Sequence, residues 1–298
     1  MRVLVLGSAG QVGRELVRAA WPAGFRVTGA ARAEIDISNA VAADAAIAGS
    51  AADLVVNAAA YTAVDRAETE REAAFAINRD AAGALAAACA RRGAVLIHLS
   101  TDYAFDGAGA PRPYREDHPV GPLNVYGASK EAGEAAVRAA LAEHLIVRTS
   151  WVFGAHGHNF VKTMLRLAGE REELAVVDDQ TGCPTPAADI AAAIVRLAAA
   201  VADGARTWGT YHFAGSGAVT WHGFAEAIFD AAAAIRPGLR RPRVGKIRTA
   251  DLTLPARRPA WSVLGCGKIE RDFGIVPPSW RPGLAAMLRE HLDAADAA

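Results

Sequence analysis

Three side chains of this sequence could together protonate a carbonyl oxygen, namely Thr101, Tyr126 and Lys130. Tyr126 and Lys130 stand four residues apart, so on a helix they share one face. A free tyrosine has a pKa of about 10, too high for efficient proton exchange at neutral pH, and a neighbouring cation lowers it. Thr101 follows an apolar run typical of a strand, and its hydroxyl could orient the substrate oxygen. These residues favour a reaction in which hydride reaches a carbonyl carbon while Tyr126 donates a proton.

A glycine-rich loop near the N-terminus predicts a phosphate site. The apolar run 3–6 leads into Gly7-Ser8-Ala9-Gly10-Gln11-Val12-Gly13, and a helical pattern follows. Glycines at such a turn let the backbone approach a pyrophosphate, and the helix N-terminus offers N–H groups to the anion. The spacing departs from the GxGxxG dinucleotide fingerprint, so the prediction depends on the loop opening the first βαβ unit. We predict that a dinucleotide pyrophosphate contacts Gly7, Gly10, Gln11, Val12 and Gly13.

The residues after the second, third and fourth predicted strands indicate how the rest of a dinucleotide binds. An arginine after the second strand accommodates the 2′-phosphate of NADPH, whereas an acid there binds the ribose 2′-hydroxyl. Arg32 favours NADPH, but Glu34 lies close and a solvent-exposed arginine is an equal interpretation, so NADH stays the alternative. Asp36 and Ile37 are expected at the adenine. Small or polar residues at later strand ends complete the predicted cofactor site: Ala58, Ala59, Ala60 and Ser100.

Strands and helices alternate in the first half of the chain. Strands are predicted at 3–6, 25–28, 54–57, 95–100 and 145–148, with helices at 73–91 and 129–142. This alternation predicts right-handed crossovers and a parallel sheet covered on both faces. After residue 151, Pro and Gly become frequent and strands sparse. We therefore predict an α/β fold with a doubly wound Rossmann domain over 1–150. A smaller C-terminal α/β substrate domain follows over 151–298, and the chain could return to the first domain near 185–197.

Composition excludes several classes of protein. The 298 residues contain 32 basic and 32 acidic side chains, a balance that argues against a nucleic-acid binder. The cysteines Cys89, Cys183 and Cys266 are too far apart to suggest a disulfide framework or a CxxC metal site. No apolar run approaches the roughly 18 residues that span a bilayer, and the N-terminal run is too short for a signal peptide. We expect a cytoplasmic protein with no membrane partner.

Over essentially its whole length the sequence resembles the extended short-chain dehydrogenase/reductases. The segments that carry the resemblance are 7–13, 56–65, 100–105, 122–127 with Lys130, 148–153, 159–164, 179–182 with Pro184 and Thr185, and Arg258-Pro259. Segments 57–65 and 148–153 are much more specific than the glycine loop. The resemblance is strongest to members that reduce nucleotide-linked keto sugars. It implies dTDP-4-dehydro-β-L-rhamnose as substrate, reduced at C4 by NADPH or NADH.

The resemblance also implies roles for individual residues. Tyr126 would donate the proton, Lys130 would tune it and hold the nicotinamide ribose, and Thr101 would hydrogen-bond the sugar carbonyl. Flat amphipathic rings cover a deoxyhexose with little loss of entropy, although such rings also pack in cores. The expected substrate contacts, besides Thr101, are Asp102, Tyr103, Trp151, Asn159 and Arg258.

The sequence departs from its family in two places. The family often has Asn after Arg-Pro-Ala, but Trp261 stands here, which leaves the contacts at this point open. Some members share Mg²⁺ between subunits through acidic residues. Glu15 and Glu290 match two of them, whereas Ala188 stands where another acid is expected, so we assign no metal ligands and Mg²⁺ stays only an alternative cofactor. His156 and His158 lie in a different glycine-containing segment, around Gly157, and we interpret them as solvated. A monomer or a homodimer is expected.

Three alternatives remain open. A dehydratase of this type carries Glu where Tyr103 stands, so elimination would lack an acid, but an epimerase uses the same Thr/Tyr/Lys set. A reductase that forms dTDP-6-deoxy-L-talose would differ only in how the sugar is placed. Some relatives are non-catalytic regulatory subunits that bind dinucleotide, such as that of methionine adenosyltransferase. The intact Tyr126 and Lys130 pair favours an enzyme over this last class.

Overall fold

A computed structural model describes residues 1–296; the last two residues of the predicted second domain lie outside the described residues. The strands are β1 Arg2–Leu6, β2 Arg26–Ala30, β3 Leu54–Asn57, β4 Val95–Thr101, β5 His144–Thr149, β6 Val152–Phe153, β7 Glu173–Val177, β8 Thr181–Gly182, β9 Thr185–Pro186, β10 Gly209–His212, β11 Val219–Thr220 and β12 Arg243–Ile247. The α-helices are α1 Gln11–Arg18, α2 Ala40–Ser50, α3 Val64–Ala67, α4 Arg71–Phe75, α5 Ala81–Arg92, α6 Val125–Ala140, α7 Phe160–Glu170, α8 Ala187–Ala202, α9 Trp221–Ile235, α10 Gly267–Phe273 and α11 Trp280–Asp296.

Six parallel strands form the main sheet, in the order β2-β1-β3-β4-β5-β10. The order reverses between β1 and β3, because β2 lies on one side of β1 and all later strands lie on the other. Open α/β sheets bind ligands at such a switch point, beyond the carboxyl ends of the strands. The predicted doubly wound parallel sheet is confirmed, and its switch point lies beside the glycine loop.

Apolar residues run almost unbroken along the central strands because both faces of the sheet are covered. In β1, Val3 and Val5 face one core, whereas Leu4 and Leu6 face the other. The first core contains α1 and α8, with Leu16, Ile190 and Ile194 among its side chains, and the second contains residues of α2, α5 and α6. Helices on both faces hold the strand ends, and hence the residues that follow them, in a fixed plane.

Two predicted helices differ from those observed. The predicted helix 73–91 is divided by a π-helical turn at Ala76–Asp80. Within it, the buried Asn78 side chain accepts from Tyr61 N and donates to Tyr61 O and Ser129 Oγ. The second helix begins at Val125 rather than at 129, because Asn124 Oδ1 accepts from Gly127 N and Glu68 Oε1 accepts from Val125 N. Tyr126 therefore lies in the first turn of α6.

The segment after residue 150 contributes to two parts of the molecule. A separate core lies among α7, β7, α9 and α11, around Phe153, Phe224 and Trp280. In contrast, α8 packs against α1, and β10 pairs with β5 at the edge of the main sheet. The division at residue 150 stays a prediction. Among the described residues, no helix has the length and apolar character needed to cross a membrane.

Candidate active site

A cavity of about 820 Å³ lies at the carboxyl ends of the main-sheet strands. It is lined by every residue predicted from the sequence to bind cofactor or substrate, with two exceptions. Gly13, the last residue of the glycine loop, packs against Gly7 and Ser8 at its start, and Asn159 has its polar groups bonded within the protein. The loops after β1, β3, β4 and β5 meet here with α9 and with Arg258.

Two glycines of the glycine loop lie so close to neighbouring backbone that no side chain would fit there. Gly7 has a φ of +79°, and a Cβ there would lie 2.7 Å from Ala59 N. A Cβ on Gly13 would lie 2.1 Å from Gly7 O, so this glycine lets α1 pack against the turn. Gly10 caps α1 and has no side chain that could accept from the first helical N–H groups. The loop thus presents backbone donors at the cavity, as anion binding requires.

Arg32 and Asp36, on the loop after β2, form a pair that also lines the cavity. Arg32 Nε lies 3.4 Å from Asp36 Oδ2, and the arginine side chain is 79% exposed. Asp36 Oδ1 accepts from Ser38 N and Oγ, and these hydrogen bonds lower the pKa of the carboxyl below its usual value. The carboxylate therefore stays charged at neutral pH and pairs with an exposed guanidinium.

Tyr126 reaches the cavity from the first turn of α6. A Cβ on Gly127 would lie 2.2 Å from Tyr103 O, so the glycine allows the helix to approach the turn after β4. The rings of Tyr103 and Tyr126 meet edge to face with centroids 5.8 Å apart. Desolvation raises the pKa of Tyr126 to about 12, while hydrogen bonding with Thr101 opposes the rise. The expected lowering is therefore not seen, because removal of the hydroxyl from water is the dominant effect on its pKa.

Lys130 lies one helical turn further along, buried against β4. Its Nζ donates to Leu99 O at 2.7 Å and lies 3.4 Å from Nε2 of the buried His98. Desolvation lowers the pKa of Lys130 to about 8, and the charge of Glu134 partly opposes this. Lys130 lines the same cavity as Thr101 and Tyr126, so the structure brings the three predicted catalytic side chains together.

Glu134, which the sequence analysis did not single out, anchors this helix to the sheet. The fully buried carboxylate accepts from Ser100 Oγ at 2.6 Å, from Arg148 Nε at 2.8 Å and from Arg148 Nη2 at 2.6 Å. A fourth bond comes from Arg138 Nη1 at 3.0 Å. These bonds fix the face of α6 that carries Tyr126 and Lys130. Extending the four-residue spacing of that pair by one step would have found Glu134.

Aromatic residues form another part of the cavity wall. Trp151 and Trp221 stack face to face with ring centroids 3.5 Å apart, and Phe160 lies 4.6 Å from Trp221. Trp151 has a φ of +46°, unusual for a non-glycine residue, and its ring lies against Gly182, where a Cβ would come within 2.4 Å of it. Trp221 also lines the cavity. It was not predicted from the sequence, because its stacking partner Trp151 lies 70 positions earlier.

The remaining predicted substrate residues have well-defined partners. Arg258 forms a two-pronged ion pair with Asp65, with Nη2–Oδ2 at 2.7 Å and Nη1–Oδ1 at 2.9 Å. Asp102 accepts from Thr101 Oγ1 at 3.1 Å, and burial raises the pKa of its carboxyl to about 7. Asn159 donates to Gln11 Oε1 and Gly154 O and caps α7 at Lys162 N. Asn159 thus links α1 to α7 instead of facing the cavity.

The residues matched to the family's Mg²⁺ site do not fit a metal. Glu290 Oε1 accepts from Arg18 Nη1 at 2.8 Å, and the same Nη1 lies 2.7 Å from His156 Nε2. Arg18 therefore neutralises the charge of Glu290, one of the expected ligands, and Ala188 offers no ligand atom at another expected position. Within residues 1–296 no group of three or more His, Cys, Asp or Glu side chains is placed to hold a metal ion.

Comparison with known proteins identifies the family. The family model described as the RmlD substrate binding domain matches residues 1–292. The dTDP-4-dehydrorhamnose reductase of Sinorhizobium fredii is 45% identical over 282 residues, covering 94% of each chain. That of Burkholderia thailandensis is 46% identical over 299 residues, covering 98% of this chain and 99% of its own.

Among solved structures, a Bacillus anthracis dTDP-4-dehydrorhamnose reductase in complex with NADP superposes with a TM-score of 0.90. It is 36% identical and covers 97% of this chain and 99% of its own. The resemblance found in the sequence motifs is confirmed by these matches, which extend over both the glycine-loop half and the aromatic half of the cavity. The chain belongs to the family of the dTDP-4-dehydrorhamnose reductases.

Proposed function

We infer that the protein is a nicotinamide-dependent reductase that converts dTDP-4-dehydro-β-L-rhamnose to dTDP-L-rhamnose. The observation that carries this inference is the meeting of Thr101, Tyr126 and Lys130 in one cavity with the glycine loop. The loop and the small residues after β3 would hold the dinucleotide, which supplies the hydride. No resident metal is required by this scheme.

The protein's own groups deliver the proton. Thr101 Oγ1 and the Tyr126 hydroxyl converge on the substrate C4 oxygen, and Tyr126 releases its proton to that oxygen as hydride arrives at the carbon. Lys130 is held by Leu99 O and lines the same cavity as Tyr126, so its ammonium would stabilise the tyrosinate that remains. Because desolvation and the charge of Asp102 raise the pKa of Tyr126 to about 12, the tyrosine is a protonated acid when the substrate binds.

The aromatic wall would receive the sugar. Trp151 and Trp221 form a broad apolar surface, and apolar faces of a deoxyhexose bind to such rings with little entropic cost. Arg258, held in place by Asp65, lines the same cavity and suits a diphosphate. Asn159 enters the proposal as a residue that positions Gln11 and α7.

Three further assignments rest on individual features of the chain. Arg32 at the cavity rim supports NADPH as the preferred cofactor, with NADH as the alternative. The equal numbers of acidic and basic residues support an enzyme with no nucleic-acid partner. We expect it to act in the cytoplasm as a monomer or as a homodimer whose contacts do not depend on Mg²⁺.

The proposal is tested by removing one hydroxyl at a time from two neighbouring tyrosines. Tyr126→Phe should lower kcat by about 100- to 10,000-fold, the usual contribution of a general acid. Tyr103→Phe is the matched control, since its ring contacts that of Tyr126, and it should change kcat by less than about tenfold. Unchanged turnover in Tyr126→Phe would contradict the assignment of the proton donor. A regulatory subunit would show no turnover in any of the three proteins.

A further inference from the structure

A buried polar chain leads from the switch point of the sheet to the catalytic lysine. It runs from Ala59 N through the side chains of Asn57 and His98 to Lys130 Nζ. Asn57 and His98 are each 1% exposed, and Lys130 is 2% exposed. Asn57 ends β3, His98 lies in β4, and neither has a role in the mechanism above. Water does not compete for these groups, so the direction of each hydrogen bond is set by the protein.

The direction of the first bond determines the others. A backbone N–H can only donate, so the atom of Asn57 that faces Ala59 N, at 3.1 Å, must be the carbonyl Oδ1. The amide Nδ2 then faces His98 Nδ1 at 3.1 Å and donates to it. His98 Nδ1 is consequently an acceptor and carries no proton. Burial lowers the pKa of His98 well below its usual value, so the ring is neutral and its single proton lies on Nε2.

This tautomer places a donor against the lysine. His98 Nε2–H lies 3.4 Å from Lys130 Nζ, and an ammonium has only donors to offer in return. A neutral amine has a lone pair that accepts from Nε2–H, so the contact favours the neutral form. The ammonium retains one bond inside the protein, to Leu99 O at 2.7 Å, and its other N–H groups are left for the cavity.

We propose that His98 is a positioning residue for Lys130 and that Asn57 locks it in the Nε2–H tautomer. This N–H directs the free N–H groups of the lysine towards the cavity. It also sets the pH above which Lys130 loses its charge. The proposal deepens the proposed function and rests on it for its kinetic consequence. Reduction uses the charged lysine to stabilise the tyrosinate, so activity should fall as Lys130 loses its proton.

Other charged groups near this chain act in different ways. On α6, Glu134 favours the charged lysine and is itself held ionised by Arg148, while Tyr126 is neutral before turnover. From β5, His144 faces His98 and lowers the pKa of that ring further. Asp102 acts on Tyr126 rather than on Lys130. The hydrogen bond that His98 donates is therefore an influence on the protonation of Lys130 that burial of the lysine does not supply.

The tautomer can be read directly by NMR, without turnover. In the ¹⁵N-labelled wild-type protein, long-range ¹H–¹⁵N spectra distinguish protonated from unprotonated ring nitrogens, and His98→Gln assigns the His98 signals among the eight histidines. At neutral pH the expected pattern is a protonated Nε2 and an unprotonated Nδ1. A proton on Nδ1, or on both nitrogens, would overturn the proposal even if the reductase assignment stands.

The effect on Lys130 is tested by titration. The chain has four lysines, so ¹³C,¹⁵N-labelled lysine gives a separable signal for Lys130. His98→Gln can turn an amide oxygen towards Nζ, and Asn57→Asp should shift the ring proton to Nδ1, leaving Nε2 to accept. Both variants should raise the pKa of Lys130 by about one unit and move the alkaline limb of kcat/KM by a similar amount.

A matched control separates this effect from general disturbance of the core. His144→Gln alters a buried histidine on the neighbouring strand whose Nδ1 is bonded to Leu141 O, and it should leave the titration of Lys130 unchanged. A loss of kcat in His98→Gln with no movement of the Lys130 titration or of the alkaline limb would show that His98 only fills space. Absence of turnover in wild type with the predicted titration shifts would instead contradict the reductase function alone.

Discussion

Replacing Glu134 with glutamine should destabilise the fold far more than its conservative size suggests. Glutamine keeps one oxygen, which can still accept from Ser100 Oγ and Arg148 Nε. The other oxygen becomes an NH₂ group that faces Arg148 Nη2 and Arg138 Nη1, so two bonds become contacts between donors. Arg148 is 3% exposed and cannot recover water. Removing one partner of a buried ion pair typically costs about 3–5 kcal/mol, and we expect Glu134→Gln to fall in that range.

Urea unfolding followed by circular dichroism measures this cost, and the same helix provides the control. Glu131 pairs with Arg138 at 3.5 Å with both side chains partly exposed, so Glu131→Gln should cost less than about 1 kcal/mol. Equal destabilisation by the two variants would refute the claim that Glu134 anchors the catalytic helix.

The pH dependence of that difference has a defined sign. Desolvation alone would raise the pKa of Glu134, but the hydrogen bonds and charge of Arg148, together with the bonds from Ser100 and Arg138, outweigh it, so the folded protein lowers this pKa. As pH falls below the ordinary value of 4.5, the unfolded chain takes up the proton first. The contribution of Glu134 is therefore complete above that value and diminishes below it, so wild type and Glu134→Gln should converge in stability in acid. A gap that stays constant from neutral pH into acid would contradict this reasoning.

Three further predictions concern the cavity. Arg32→Ala should lower the ratio of kcat/KM with NADPH to that with NADH by roughly tenfold, because a charge-assisted bond to the 2′-phosphate is lost; an unchanged ratio would contradict the assignment of Arg32. Gly13→Ala should raise the dinucleotide Kd at least about tenfold in a fluorescence titration, because its Cβ would meet Gly7 O, whereas Gly49→Ala, in open space, should not. Trp221→Ala should raise KM for the sugar nucleotide by roughly tenfold and leave the dinucleotide Kd unchanged; an equal loss of dinucleotide affinity would show that Trp221 serves the whole cavity.

The fold could be predicted from local patterns because its strands are buried on both faces. Apolar runs mark β1 to β5, and each predicted strand overlaps the observed one. The strand β10 was missed, since Gly-Thr-Tyr-His has neither an apolar run nor a clear alternation. The π-helical turn was missed for a different reason. It depends on Asn78 bonding to Tyr61, seventeen residues away in sequence, and helix propensity carries no information about that contact.

The candidate site was predicted where its residues follow strand ends or share a helix face, as Thr101, Tyr126 and Lys130 do. Contacts between residues distant in sequence were not predicted. An example is the ion pair of Asp65 with Arg258, which lie 193 positions apart. The pKa of Tyr126 was predicted in the wrong direction, since the spacing to Lys130 shows a shared face but not the desolvation that dominates in the fold. Long-range contacts and burial are properties of the packed molecule, so a single sequence does not reveal them.

The central claim is tested most directly by supplying the substrate and identifying the product. The upstream enzymes can generate dTDP-4-dehydro-β-L-rhamnose from dTDP-glucose in the same vessel, and loss of reduced-nicotinamide absorbance then reports reduction. We expect NADPH to be oxidised faster than NADH, and NMR to identify dTDP-L-rhamnose as the product. Formation of the 6-deoxy-L-talose epimer would contradict the proposed placement of the sugar, and no oxidation in the presence of bound dinucleotide would contradict the reductase function itself.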